Sequence, residues 1–240
     1  MLLVSFLTGT AAAQQWTWAT TLAFICAFAG FQAEHPLTLQ IKQRRSWKPR
    51  CLLWGGLYSA IALGFAGYLY FQAPALLWLY LGAIAAFVIN AISVFYRQQR
   101  SFANELLTFA AVCLTAPFVY IATTGTWTPS VLGVWLLNML FFSSSIFTVK
   151  LRKPKTASLL PGLIYHAIAT PIIIGLWYIG WLAPLPALGF GVALLKLGLI
   201  LAWQDWYCTT PIQHVAILET TSALIFLLIV ALSLLPAHLS

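Results

Sequence analysis

Eleven of the twelve basic residues fall in three short gaps between long apolar runs, and each of those gaps follows an even-numbered run. The gaps carry Lys42, Arg44, Arg45, Lys48 and Arg50; then Arg97 and Arg100; then Lys150, Arg152, Lys153 and Lys155. Only Lys196 lies inside an apolar run. The odd gaps, at 14–15, 72–74, 124–129 and 182–186, hold no Lys or Arg. Positive charge resists translocation during insertion, so this alternation prescribes a polytopic chain whose N-terminus and basic gaps stay cytoplasmic. The expected fold is an all-α, polytopic transmembrane bundle of about nine helices, forming a single domain over residues 1–240.

Composition points the same way. The chain is 62% apolar and 7% charged, where a soluble domain would be about 25% charged. Its mean hydropathy is +0.92. With so few solvating groups the natural solvent is lipid, in which each span needs about 20 apolar residues. A net charge of +8 raises the question of nucleic acid. No gap is long enough for a folded basic domain, however, and attraction to anionic headgroups accounts for the charge, so nucleic acid is not an expected partner. Cys26, Cys51, Cys113 and Cys208 are scattered with no CxxC pair and indicate neither a disulfide framework nor a thiolate metal site.

Nine apolar runs are readable, at about 1–13, 16–33, 51–71, 75–96, 102–123, 130–149, 158–181, 187–205 and 212–235. The first is short for a span and lacks a charged region ahead of it, so it reads as a helix already under way at Met1 and not as a cleaved signal. Trp16, Trp18, Trp127 and Trp181 flank the outer gaps, and Trp47, Tyr96, Trp206 and Tyr207 the inner ones, as interfacial aromatic belts do. The expected location is a cell (inner) membrane, crossed many times.

An ionisable group inside a span costs at least about 2.5–3.5 kcal/mol on insertion scales, so each needs a reason. Counting from the inner ends at roughly 1.5 Å per residue, Asn104, Glu105, Asn138, His166, Lys196 and Glu219 all fall in the cytoplasmic half. Glu34 and His35 fall at the inner end of run two. The outer half has almost nothing comparable, which points to a cavity open to the cytoplasm. Lys196 and Glu219 sit at similar depth on consecutive antiparallel helices, either as a structural bridge or as a substrate or proton site. Glu105 complements a helix N-terminus or faces the cavity. Pro171 frees the carbonyl of Ala167 beside His166, and Pro117 frees that of Cys113. Arg44, Arg45, Lys150 and Arg152 are candidates for holding a phosphate or a lipid headgroup. There is no GxxxxGK[ST], HExxH or GxSxG, and four acids cannot build a carboxylate cage for a metal. No cofactor is indicated.

Three stretches, AEHPLTLQIKQRR (33–45), RSFANELLTFAAVCLTAPFVY (100–120) and WLLNMLFFSSSIFTVKLR (135–152), together resemble the YwiC-like membrane proteins. Members of that family begin with a segment reading roughly PREHGAW, and this chain starts at what would follow it. The resemblance implies architecture and little chemistry. A fainter similarity is to UbiA-type intramembrane prenyltransferases, which imply about nine helices with catalytic loops after helices two and six. Their aspartate-rich motifs are absent, since Asp205 is the one aspartate and lies elsewhere. Three functions stay open: binding or modifying a lipid or isoprenoid substrate in a cytoplasm-facing cavity, with membrane lipids and a lipid-linked molecule as partners; a small transporter; and a non-catalytic scaffold.

Overall fold

The computed structural model describes residues 1–43, 46, 48–153 and 158–235. Arg44, Arg45, Trp47, Lys155 and 236–240 lie outside the described residues. Among those described, all regular structure is helical: α1 (Leu2–Ala13), α2 (Trp18–Gln43), α3 (Pro49–Gln72), a 3-10 turn (Pro74–Leu76), α4 (Leu77–Phe95), α5 (Phe102–Cys113), α6 (Thr115–Thr124), α7 (Pro129–Leu151), α8 (Leu160–Tyr178), α9 (Pro184–Leu188), α10 (Gly191–Ala202), α11 (Gln204–Thr209) and α12 (Ile212–Leu234). Helices satisfy every backbone group internally, which hydrocarbon demands. Among the described residues seven segments are long and apolar enough to cross a membrane, and α1 is a shorter apolar helix.

Ten of the helices have ten residues or more, not nine. The difference arises in run five. Pro117 has no N–H to offer the carbonyl of Cys113, so the ladder lapses at Leu114 and restarts as α6, with Phe118 N–H bonding Leu114 O at 3.0 Å. Pro171 and Pro36 leave α8 and α2 unbroken. Run two also runs further than its apolar stretch. α2 continues nine residues past Glu34, roughly 13 Å, so Glu34 and His35 lie well inside the helix and not at its inner end.

Proline at the first turn starts α3, α7, α8 and α9, where its missing N–H has no cost. Ser101 caps α5 by accepting from Asn104 N at 3.3 Å. Gly125 ends α6 at φ 76°, a left-handed turn that favours glycine.

The elements differ sharply in enclosure. α7 is the most buried, with 67% of its apolar window inside the protein, against 11% for α3 and 17% for the Pro74–Phe95 segment. α3 and α4 therefore turn most of their surface outward, and α7 is the central post. α1 packs on α6, α7 and α12, and a Cβ at Gly9 would collide with the backbone of Ala116. The core gathers Phe141, Leu137, Val134, Phe190 and Phe226, with Phe141 and Phe226 stacked at 4.0 Å.

Hydrogen bonds fix which gaps share an end. Lys150 reaches the carbonyl of Arg100 at 3.2 Å, Arg152 donates to that of Thr210, and Lys42 and Gln99 line one cavity. At the other end Gln15 donates to Thr123 O at 3.5 Å, Trp127 to Ala75 O at 3.1 Å and Gln14 to Leu234 O at 3.0 Å. The basic gaps thus share one end with the uncharged turn at Thr210, and the gaps at 14–15, 72–74 and 124–129 lie at the other.

Candidate functional site

The polar residues inside the bundle form three groups. The first surrounds a cavity of about 330 Å³ between α2, α4 and α5 at the basic end. Its lining includes Glu34, Thr38, Lys42, Asn90, Asn104 and Glu105. Glu34, Thr38 and Lys42 recur every fourth residue of α2, so they stand on one face. A directed chain of hydrogen bonds crosses the floor: Asn104 Nδ2 donates to Asn90 Oδ1 at 2.9 Å, and Asn90 Nδ2 donates to Glu34 Oε1 at 2.9 Å. Asn104 Nδ2 also donates to the carbonyl of Gln99 at 3.3 Å. The acid sets the direction. A carboxylate only accepts, so Asn90 must offer it an amide N–H and turn its oxygen toward Asn104. Asn104 answers with its own N–H₂, which leaves its Oδ1 with no partner although the residue is 6% exposed.

Glu105 closes the α5 side. Its Oε2 lies 2.6 Å from Lys150 Nζ, which also sits 3.6 Å from the centre of the Phe102 ring. The lysine head is thereby held between a carboxylate, a carbonyl and an aromatic face.

The second group joins α7, α10 and α12. Lys196 Nζ is 2.9 Å from Glu219 Oε2 and 3.0 Å from Ser145 Oγ, and Ser145 in turn donates to Glu219 at 2.5 Å. Thr148 donates to the other carboxylate oxygen at 3.3 Å. Each charge therefore has an opposite charge and a hydroxyl, as low-dielectric burial requires. His166 lies on α8 with no hydrogen bond to this pair. Its Nδ1 donates to Gly162 O at 2.7 Å, one turn back from the carbonyl that Pro171 frees, and its Nε2 is buried without a partner.

The third group is sealed. Asn138 is fully buried; its Nδ2 donates to Thr8 Oγ1 and to Val134 O, both at 2.9 Å, and its Oδ1 accepts from Ser5 at 3.4 Å. Two of these bonds fasten α1 to α7, and the third returns to the α7 backbone.

Asn104 and Glu105 thus share a cavity, Lys196 and Glu219 share an ion pair, and Asn138 and His166 each sit apart. Of the phosphate candidates, Lys150 faces Glu105, whereas Arg152 turns the other way, its guanidinium 5.8 Å from the Tyr207 ring. Tyr207 is 1% exposed and packs inside instead of joining the interfacial belt, because α11 turns it against Leu151, Ile200 and Val215. Arg44 and Arg45 are outside the described residues. Asn90, the link between Glu34 and Asn104, went unnoticed in the sequence, although a lone asparagine within an apolar run was a usable signal.

A family model described as YwiC-like protein matches residues 1–120, half of the chain. Every residue lining the cavity falls within that half; Lys196 and Glu219 fall outside it. No curated protein and no solved structure matches the chain.

Proposed function

We propose, because the chain belongs to the YwiC-like family and is a bundle of membrane-length helices with a polar cavity at its basic end, that it binds the polar head of a lipid or isoprenoid-linked molecule. The basic end faces the cytoplasm of the cell membrane in this reading, as the charge alternation predicts. The observation that carries it is the cavity between α2, α4 and α5: acids, amides and a lysine line it, and the neighbouring α3 and α4 are the most lipid-exposed spans. A headgroup enters from the interface while its tail stays against those outer helices. The other polar groups support a stitching role, since the Lys196–Glu219 pair and Asn138 bind one another or their neighbours.

The test is native mass spectrometry of the detergent-extracted protein. Thr108 lines the cavity, and Thr108→Trp fills it. A lipid-mass adduct retained by the wild type and lost from Thr108→Trp is the expected result. Equal adduct on both proteins overturns the reading.

A further inference from the structure

The floor of the cavity leans toward acceptors. Both N–H bonds of Asn104 are spent, on Asn90 and on the Gln99 carbonyl, and Asn90 spends one of its two on Glu34. The acceptors left are the Asn104 Oδ1, without a partner in a residue 94% buried, and the carboxylate of Glu34, which brings the negative charge. A buried acceptor left unsatisfied carries a desolvation cost that a donor on a ligand relieves. The far end of the same α2 face is opposite in sign. Lys42 lies eight residues beyond Glu34, roughly 12 Å along the helix, and its flexible stem covers part of that span. Glu105 adds no net charge, because Lys150 is 2.6 Å away.

Resting on the headgroup reading above, we propose that this cavity selects a primary ammonium joined to a phosphate, the 2-aminoethyl phosphate group. The ammonium points its N–H bonds at Glu34 and Asn104, and the phosphate lies toward Lys42. A bare cation would meet the repulsion of Lys42, and a bare phosphate that of Glu34; the zwitterion satisfies both ends. A quaternary ammonium has no N–H and leaves the Asn104 oxygen unsatisfied. Sites that hydrogen-bond a ligand reject analogues lacking the donor more strongly than apolar pockets reject a change of size.

The experiment offers the full-length protein, in detergent, equimolar ethanolamine and choline phospholipids of matched chains, with bound lipid read by native mass spectrometry. Free O-phosphoethanolamine and free phosphocholine serve as competitors. At least tenfold preference for the ethanolamine lipid is expected, falling toward parity in Glu34→Gln, which keeps an oxygen for Asn90 but loses the charge. Lys42→Gln lowers occupancy by both lipids without changing their ratio. Displacement by free O-phosphoethanolamine but not by phosphocholine supports the same recognition and makes the free molecule a ligand; displacement by neither, with the preference intact, assigns the site to the lipid. Equal binding of both lipids, lost in Thr108→Trp, overturns the ammonium inference and leaves the headgroup reading standing. Binding of neither lipid nor O-phosphoethanolamine overturns the ammonium inference, and the adduct comparison of wild type with Thr108→Trp then decides the headgroup reading.

Discussion

The seam around α7 and the flank formed by α2, α4 and α5 use similar residues to opposite ends. Each has a buried asparagine and a lysine–glutamate pair. At the seam Asn138 has donors and acceptors matched, and Lys196 is 2% exposed with Glu219, Ser145 and Phe141 around it. At the flank Asn104 keeps an unmatched oxygen beside a cavity of about 330 Å³. The difference is one of closure. Polar groups whose bonds are complete hold helices together, whereas polar groups with capacity left over, next to space, are available to a ligand.

The sharpest way to break this comparison is to remove one charge from the seam. Lys196→Met leaves the partly buried Glu219 with hydroxyls alone and should cost up to about 3–5 kcal/mol, the penalty for an uncompensated interior charge. The double change Lys196→Met with Glu219→Leu should recover most of that loss. Thermal unfolding in detergent, followed by tryptophan fluorescence, reads both. If the single variant melted with the wild type, the seam would not depend on its ion pair.

Steric closure comes next. A Cβ at Gly133 would overlap the Trp181 carbonyl, and backbone cannot step aside as a side chain can. Gly133→Ala should cost about 1–3 kcal/mol, as overpacking does. Gly56, with open space around it, is the control, and Gly56→Ala should melt no lower than the wild type.

A matched pair of substitutions then separates the two regions directly. Asn138→Leu takes away the partner that Ser5 and Thr8 share on α7, leaving Thr8 its bond to the Ser5 carbonyl, and should lower stability by roughly 1–2 kcal/mol while leaving ligand retention unchanged. Asn104→Leu should do the reverse: it takes a donor from Asn90 Oδ1 and the Gln99 carbonyl but also removes an unsatisfied oxygen, so it should stay within about 1 kcal/mol of wild type while losing bound lipid. The comparison fails if the two variants behave alike in both assays.

How much of this was readable in the sequence depended on whether a feature is recorded by one helix or by two. The three basic gaps cluster at one end because insertion reads charge locally, and the Lys196–Glu219 pair followed from similar depth on helices that are neighbours in the chain. Apolar content misjudged α2, since it reports contact with lipid and α2 continues through Pro36 and the polar turns beyond it to Gln43. Convergence was harder. Glu34 meets Asn90 because α2 packs beside α4 across an intervening hairpin, and Asn138 meets Ser5 and Thr8 because α1 inserts against α7. That Asn138 lies inside a span was legible, whereas Glu34 lies deeper in α2 than expected, and neither rotation about a helix axis nor the choice of neighbour could be read. Tyr207 failed for a related reason: its position beside an interfacial gap is real, but α11 turns it inward onto Arg152.

Tyr207 also supplies the smallest effect, at the basic edge of the seam and outside the membrane-length helices. Burial pushes its phenol up to about 12 from an ordinary 10.0, with Thr148 opposing and Glu219 adding to the rise. The folded value lies above the unfolded one, so the stabilisation is complete below pH 10 and is lost as pH climbs through about 12. Near neutrality Tyr207→Phe should therefore shift melting little. In the alkaline range the wild type should lose stability more steeply than the variant, and its phenolate absorbance should show a late-ionising tyrosine that Tyr207→Phe lacks. A Tyr207 phenol that titrates near 10 would mean that water reaches this edge of α7, and the seam would then be no more closed than the flank.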